Sequence, residues 1–156
     1  MKKKKMTFVH PFHDPLVITG QGTVAFEILN QLPDADYLFS SIGGGGLVSG
    51  MGQVLKGHKS KMKVIAGQAS GCSSMVDSLK AGKIVTTDKA ETFADGIRVK
   101  TVNKDMFEFL RKVVDASYSV DDEKMAWAIL QLMEKARVIA EGAGALPLAL
   151  FDQLYQ

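Results

Sequence analysis

Short apolar runs alternate with amphipathic stretches along this chain. Residues 37–42 (Tyr-Leu-Phe-Ser-Ser-Ile), 61–66 (Lys-Met-Lys-Val-Ile-Ala) and 116–120 (Ala-Ser-Tyr-Ser-Val) have the length and composition of strands, and residues 6–9 form a further short candidate. Residues 24–32 carry Val24, Ile28 and Leu32 at i, i+4 and i+8, with Phe26 and Leu29 widening the stripe, so a helix is expected there with Thr23 as its cap. Pro33-Asp34-Ala35-Asp36 then stops it. Further helices are expected over 47–55, with Gly57 as stop signal, and over 74–80, ending at Gly82. The segment 104–114 places Phe107, Leu110, Val113 and Val114 on one face. Ser119 or Asp121 is expected to cap a helix over 123–137, with Met125 and Met133 as core filler, and 146–154 to form a last helix with Pro147 in its first turn. This alternation predicts an α/β fold, a parallel sheet flanked by helices in three layers with right-handed crossovers.

The stretch between the run 37–42 and the next helix is the most informative. Gly43, Gly44, Gly45 and Gly46 follow one another, and Leu47 and Val48 open a helix directly after them. Without Cβ atoms such a loop can aim several backbone N–H groups at one point, and the helix N-terminus adds partial positive charge. A phosphate dianion is the expected guest, with Ser40, Ser41 and Ser49 as further hydroxyl donors. A tight strand-to-helix turn without ligand explains one or two glycines and not four. The pattern G-x-G-x-x-G has no register through 43–50, and the following strand ends Gly67-Gln68 without an acidic residue to hold a ribose. G-x-x-x-x-G-K-[ST] is absent. The expectation is therefore a phosphorylated small molecule or cofactor.

Composition narrows the field. The 156 residues suffice for one domain with a core, read as a basic tail over 1–6 and a single α/β domain over 7–156. The net charge of +2 comes from Lys2, Lys3, Lys4 and Lys5; the body without them is slightly acidic, which argues against nucleic acid. The tail reads as a solvated end. Cys72 is the only cysteine, so no internal disulfide forms, in keeping with a cytoplasmic setting. No apolar run reaches transmembrane length and no signal-peptide pattern opens the chain. His10 and His13 stand three apart, but Pro11 between them and the lack of a second ligand pair favour a loop role over a metal.

Five segments in order carry a resemblance: the run from Phe8 to Pro15, Gly20-Gln21-Gly22-Thr23, Gly43 to Leu47, Ala94-Asp95-Gly96-Ile97, and Glu141-Gly142-Ala143-Gly144. Together they resemble the later part of the catalytic core of threonine dehydratase (threonine ammonia-lyase), a fold-type-II pyridoxal-phosphate enzyme family that includes serine dehydratases and serine racemases. The resemblance implies pyridoxal 5'-phosphate as cofactor and an amino-acid substrate; the family segments without a counterpart here would cover part of the sheet, so a homo-oligomer is expected. It implies that Gly43, Gly44, Gly45, Gly46 and Leu47 cradle the cofactor phosphate, that Gly96 sits near the cofactor ring, and that Glu141 lies on the ring side of the pocket. In that family the ring acts as electron sink while the protein orients the substrate.

Two departures accompany the resemblance. The family's Schiff-base lysine sits in an early Ser-Phe-Lys segment with no counterpart here, so no catalytic residue is assigned. Many members bind a metal through a Glu at a strand end and an acidic residue soon after; the matching positions are Gln68 and Ser74, so no metal is expected. The chain reads as a fragment or truncated form of such a lyase, inactive alone. The alternatives are a non-catalytic phosphate- or cofactor-binding module, a regulatory relic, or a subunit complemented by another chain that supplies the missing half.

Overall fold

The expected runs of β-branched and aromatic residues build a sheet of three parallel strands, and the computed structural model describes residues 6–88 and 90–155 of the chain. The elements run α1 (Pro15–Gln31), β1 (Tyr37–Ser41), α2 (Gly46–Gly57), β2 (Lys63–Ala69), α3 (Ser74–Ala81), α4 (Lys104–Val113), β3 (Ala116–Val120), α5 (Asp122–Gln131) and α6 (Gly142–Tyr155). The strand order is β1-β2-β3, with Phe39 opposite Ile65 and Ile65 opposite Ala116. The basic tail, Met6 apart, lies outside the described residues. Among the described residues no helix is long and apolar enough to cross a membrane.

The period-two geometry of β2 divides the core in two. Val64 and Ala66 face a cluster with Val48, Met51 and Leu55 of α2 and Phe107, Leu110 and Val113 of α4. Ile65 and Ala69 face the other side, against Met125 and Ala128 of α5 and Leu146, Ala149 and Leu150 of α6. Helices therefore cover both faces, as a parallel sheet requires. Gly67 lets α6 come close, since a Cβ there would stand 2.6 Å from Leu146 Cδ2.

Several expected boundaries are corrected. Residues 6–9 form no strand; Phe8 and Val9 are more than half exposed and pair with nothing in the sheet. The first helix begins at Pro15, not near residue 24. Asp14 caps it by accepting from Leu16 N–H at 2.9 Å, and Pro15 fills the first position, where its missing N–H costs nothing. Thr23 is inside that helix and donates to Gly20 C=O at 2.8 Å. Gly20 and Gly22 thus lie inside α1. Gly22 lies where α1 crosses α2: a Cβ on Gly22 would be 2.9 Å from Val54 Cγ2, and one on Gly50 2.7 Å from Gly22 N. β2 runs later than expected. The helix after β3 stays α-helical only to Gln131, then passes through a π-helical turn, Leu132–Ala136, to Arg137 with φ 59°. Met125 is buried, but Met133 is 44% exposed and so is not core filler. The last helix starts at Gly142, which puts Pro147 in its interior rather than its first turn.

Candidate cofactor site

β1 and α2 meet at the glycine run. Ile42 N–H still pairs with Gly67 C=O at 2.6 Å, extending the sheet ladder by one residue, and Ser49 N–H makes the first helical bond to Gly45 C=O at 2.9 Å. Between these two points no acceptor among the described residues takes the N–H groups of Gly43, Gly44, Gly45, Gly46 or Leu47. Several unpartnered donors thus stand together at the positive end of a twelve-residue helix.

These donors border a cleft of about 600 Å³. Gly43, Gly44, Gly45, Gly46 and Leu47 line it, and so do Gly96 and Glu141, although up to 98 residues of sequence separate them. Gly96 belongs to a 3-10 turn, Asp95–Ile97, and Glu141 precedes α6. Glu141 accepts from Ala143 N–H at 3.1 Å, and a Cβ on Gly96 would be 3.2 Å from Glu141 Oε1. Glu141 is the one ionisable side chain among the described lining residues. No cationic side chain among the described lining residues faces an anion at the glycine end, so backbone donors and helix charge would carry most of its binding. Val24 and Ile28 of α1 and Leu38 and Phe39 of β1 supply an apolar side, with the Gln21 amide beside them.

The glycines also have packing reasons, contrary to the expectation that a tight turn accounts for only one or two of them. A Cβ on Gly44 would overlap the Phe12 ring, and one on Gly46 would meet the Phe12 backbone at 2.8 Å. One on Gly43 would stand 3.0 Å from Gly96 C=O, and Gly45 has φ 94°, where a side chain is strained. Of the three serines expected as donors, Ser41 is engaged with Ala143 C=O, Ser40 has only a 3.5 Å contact to Ser41 C=O, and Ser49 lies outside the lining with its hydroxyl buried and unpartnered. The sequence pattern gives Phe12 no separate role; the Pro-Phe dipeptide beside His10 is its only local signal.

The remaining candidates sit elsewhere. His10 Nδ1 accepts from the N–H groups of Phe12 (3.4 Å) and His13 (3.2 Å), tying the turn that carries Phe12. Gln68, fully buried, accepts from Met75 and Val76 N–H, both at 2.9 Å, and so caps α3; Ser74 Oγ donates to Val99 C=O. Cys72 is buried, which pushes its thiol pKa up and leaves it a poor nucleophile. No lysine lines the cleft among the described residues.

Comparison with known proteins agrees with the five-segment resemblance. The profile of the family described as "Pyridoxal-phosphate dependent enzyme" matches residues 1–156. The chain is 43% identical over 151 residues to L-threonine dehydratase biosynthetic IlvA of Halalkalibacterium halodurans, covering 96% of this chain and 36% of that protein. It is 44% identical over 148 residues to L-threonine ammonia-lyase of Thermotoga maritima, covering 95% and 37%. The chain thus spans about a third of the length of these curated relatives. Among solved structures, the threonine deaminase of Solanum lycopersicum, isoform 2 in its processed form, superposes with a TM-score of 0.89 at 34% identity, over 95% of this chain and 43% of that one. Maize serine racemase superposes with a TM-score of 0.90 at 32% identity, over 95% and 46%.

Proposed function

This chain belongs to the pyridoxal-phosphate dependent enzyme family, and from that premise we propose that it is a partial catalytic domain of a threonine or serine dehydratase, binding the phosphate end of pyridoxal 5'-phosphate. In this reading residues 7–156 form one α/β domain. Gly43, Gly44, Gly45, Gly46 and Leu47 hold the phosphate through their N–H groups, Gly96 borders the ring, and Glu141 lies on the ring side of the pocket. The bound cofactor supplies an electron sink for loss of the substrate's α-proton and β-hydroxyl. The chain's own part is to fix the phosphate and hence the ring plane, and to close one wall with Val24, Ile28 and Phe39. The single observation that carries this reading is the run of unpartnered N–H groups opening on the same cleft as Gly96 and Glu141.

The same reading makes the chain catalytically silent alone, because the lysine that would hold the cofactor aldehyde belongs to a segment without a counterpart here. It also puts the protein in the cytoplasm, acting on a small amino acid as a homo-oligomer or beside another chain that supplies the Schiff-base lysine. Two features support association: the outer edge of β1, unpaired among the described residues and flanked by exposed Tyr37, Phe151 and Tyr155, and the exposed Trp127, Leu130 and Met133 at helical spacing. The alternative, a non-catalytic phosphate-binding module, uses the same cleft.

The test is calorimetry with pyridoxine 5'-phosphate, which has no aldehyde and cannot form adducts with exposed lysines. Saturable one-to-one binding that inorganic phosphate competes away is expected. Absence of binding at millimolar ligand would overturn the reading. Inorganic phosphate binding without any preference for the pyridine compound would favour the module.

A further inference from the structure

Pro147 lies in the interior of α6 and has no N–H, so the carbonyl four residues earlier, that of Ala143, loses its helical donor. A part-buried carbonyl left in that state is costly. The missing donor comes from the sheet: Ser41 Oγ, at the last residue of β1, donates to Ala143 C=O at 2.5 Å, across 102 residues of sequence. The two ends of this bond belong to different segments of the cleft lining, the end of β1 and the start of α6. Ser41 stands two residues before the first glycine of the loop, while Ala143 lies between Glu141, whose carboxylate accepts its N–H, and Gly144. Ser41, Ala143, Gly144 and Pro147 all line the cleft. Ala143 is thus gripped twice, by Glu141 on its N–H and by Ser41 on its C=O.

We infer that Ser41 is a positioning residue. Its hydroxyl sets the separation between the glycine loop and the Glu141 wall, and Pro147 is what makes the hydroxyl necessary. With an ordinary residue at 147 the helix itself would supply the donor, and Ser41 would have no special task. The pairing of Ser41 with Pro147 stands on geometry alone, whereas its consequence for ligand binding rests on the proposed cofactor reading.

A double-mutant cycle on the full chain separates these. Ser41→Ala, Pro147→Ala and the double variant are compared by urea unfolding, by pyridoxine 5'-phosphate affinity, and by the amide resonances of Ala143 and Gly144, with Ser41→Thr as the variant that keeps the hydroxyl. Ser41→Ala is expected to weaken ligand binding about three- to tenfold, to lower the urea midpoint and to shift both amides, whereas Ser41→Thr stays within about twofold of the parent. In the Pro147→Ala background, Ser41→Ala should change affinity by less than about twofold and leave the midpoint nearly unmoved. Equal losses in both backgrounds, or no loss from Ser41→Ala in the parent, would overturn the inference. If the parent chain binds no pyridoxine 5'-phosphate, the proposed function and the positioning role fall together. The Ser41–Pro147 pairing is then still decided by the unfolding cycle.

Discussion

Phe12 stands in the space that a side chain on Gly44 would need: a Cβ built there overlaps three atoms of the Phe12 ring. Phe12 is therefore seated on the glycine loop itself, and its turn is tied by His10. Gly44→Ala should destabilise the chain by about 1–3 kcal/mol through overpacking. Combining it with Phe12→Ala should restore part of that loss, because the two sites are in contact. Urea unfolding of the four proteins reads the coupling, and strictly additive effects would contradict the contact.

Asp115 joins β2 to α2. It accepts from Val64 N–H at 2.8 Å and from Lys56 Nζ at 3.2 Å, with Lys63 Nζ at 3.7 Å. Burial alone would raise its pKa, but the Val64 N–H and the two ammonium groups outweigh burial and hold it below the ordinary carboxylate value. A lowered folded-state pKa gives stability that is present above the unfolded value and is lost as pH falls through the folded one. Asp115→Asn should cost about 1–2 kcal/mol at neutral pH. The loss should shrink as pH drops below about 4, near the usual carboxylate pKa. A pH-independent difference in unfolding free energy would refute the electrostatic account.

Gln68 uses its amide oxygen to cap α3, and Ser74 offers only a hydroxyl. A hard cation prefers carboxylate oxygens, so calorimetry with magnesium or calcium should show no saturable binding at this strand end. Gln68→Leu should destabilise by about 1–3 kcal/mol, because two N–H groups lose their acceptor. Saturable cation binding that Gln68→Leu abolishes would contradict this.

The chain alone should give no keto acid from threonine or serine with added cofactor, and it should self-associate. A parallel sheet with an open β1 edge and exposed aromatic residues beside it seeks a partner. Turnover would sink the first half of this expectation. A monomer by light scattering at high protein concentration would sink the second.

Much of this fold is legible in local pattern. β1, β3, α2, α3 and α4 fall within a few residues of where periodicity and punctuation place them, helped by residues such as Gly82; the Asn103 cap of α4 is not among the expected ones. The misreadings share a cause. Gly20, Gly22 and Pro147 are helix breakers by propensity, yet all three lie inside helices. For two of them the reason lies outside the helix: α2 crosses at Gly22, and Ser41 takes over the carbonyl that Pro147 frees. Likewise residues 6–9 have a strand-like composition but pair with no strand among the described residues. The glycine loop is visible as a loop, whereas the seat of Phe12 on Gly44 depends on tertiary contact that no local spacing encodes.

In the proposed reading the N–H groups of Gly43, Gly44, Gly45, Gly46 and Leu47 receive the cofactor phosphate. Titrating isotope-labelled chain with pyridoxine 5'-phosphate, and following its amide resonances, tests this directly. The amides of residues 43–47 should shift together and saturate, with smaller movements at Gly96 and Glu141, and inorganic phosphate should reproduce the shifts at 43–47 alone. Saturating shifts centred elsewhere, or none at 43–47, would contradict the claim.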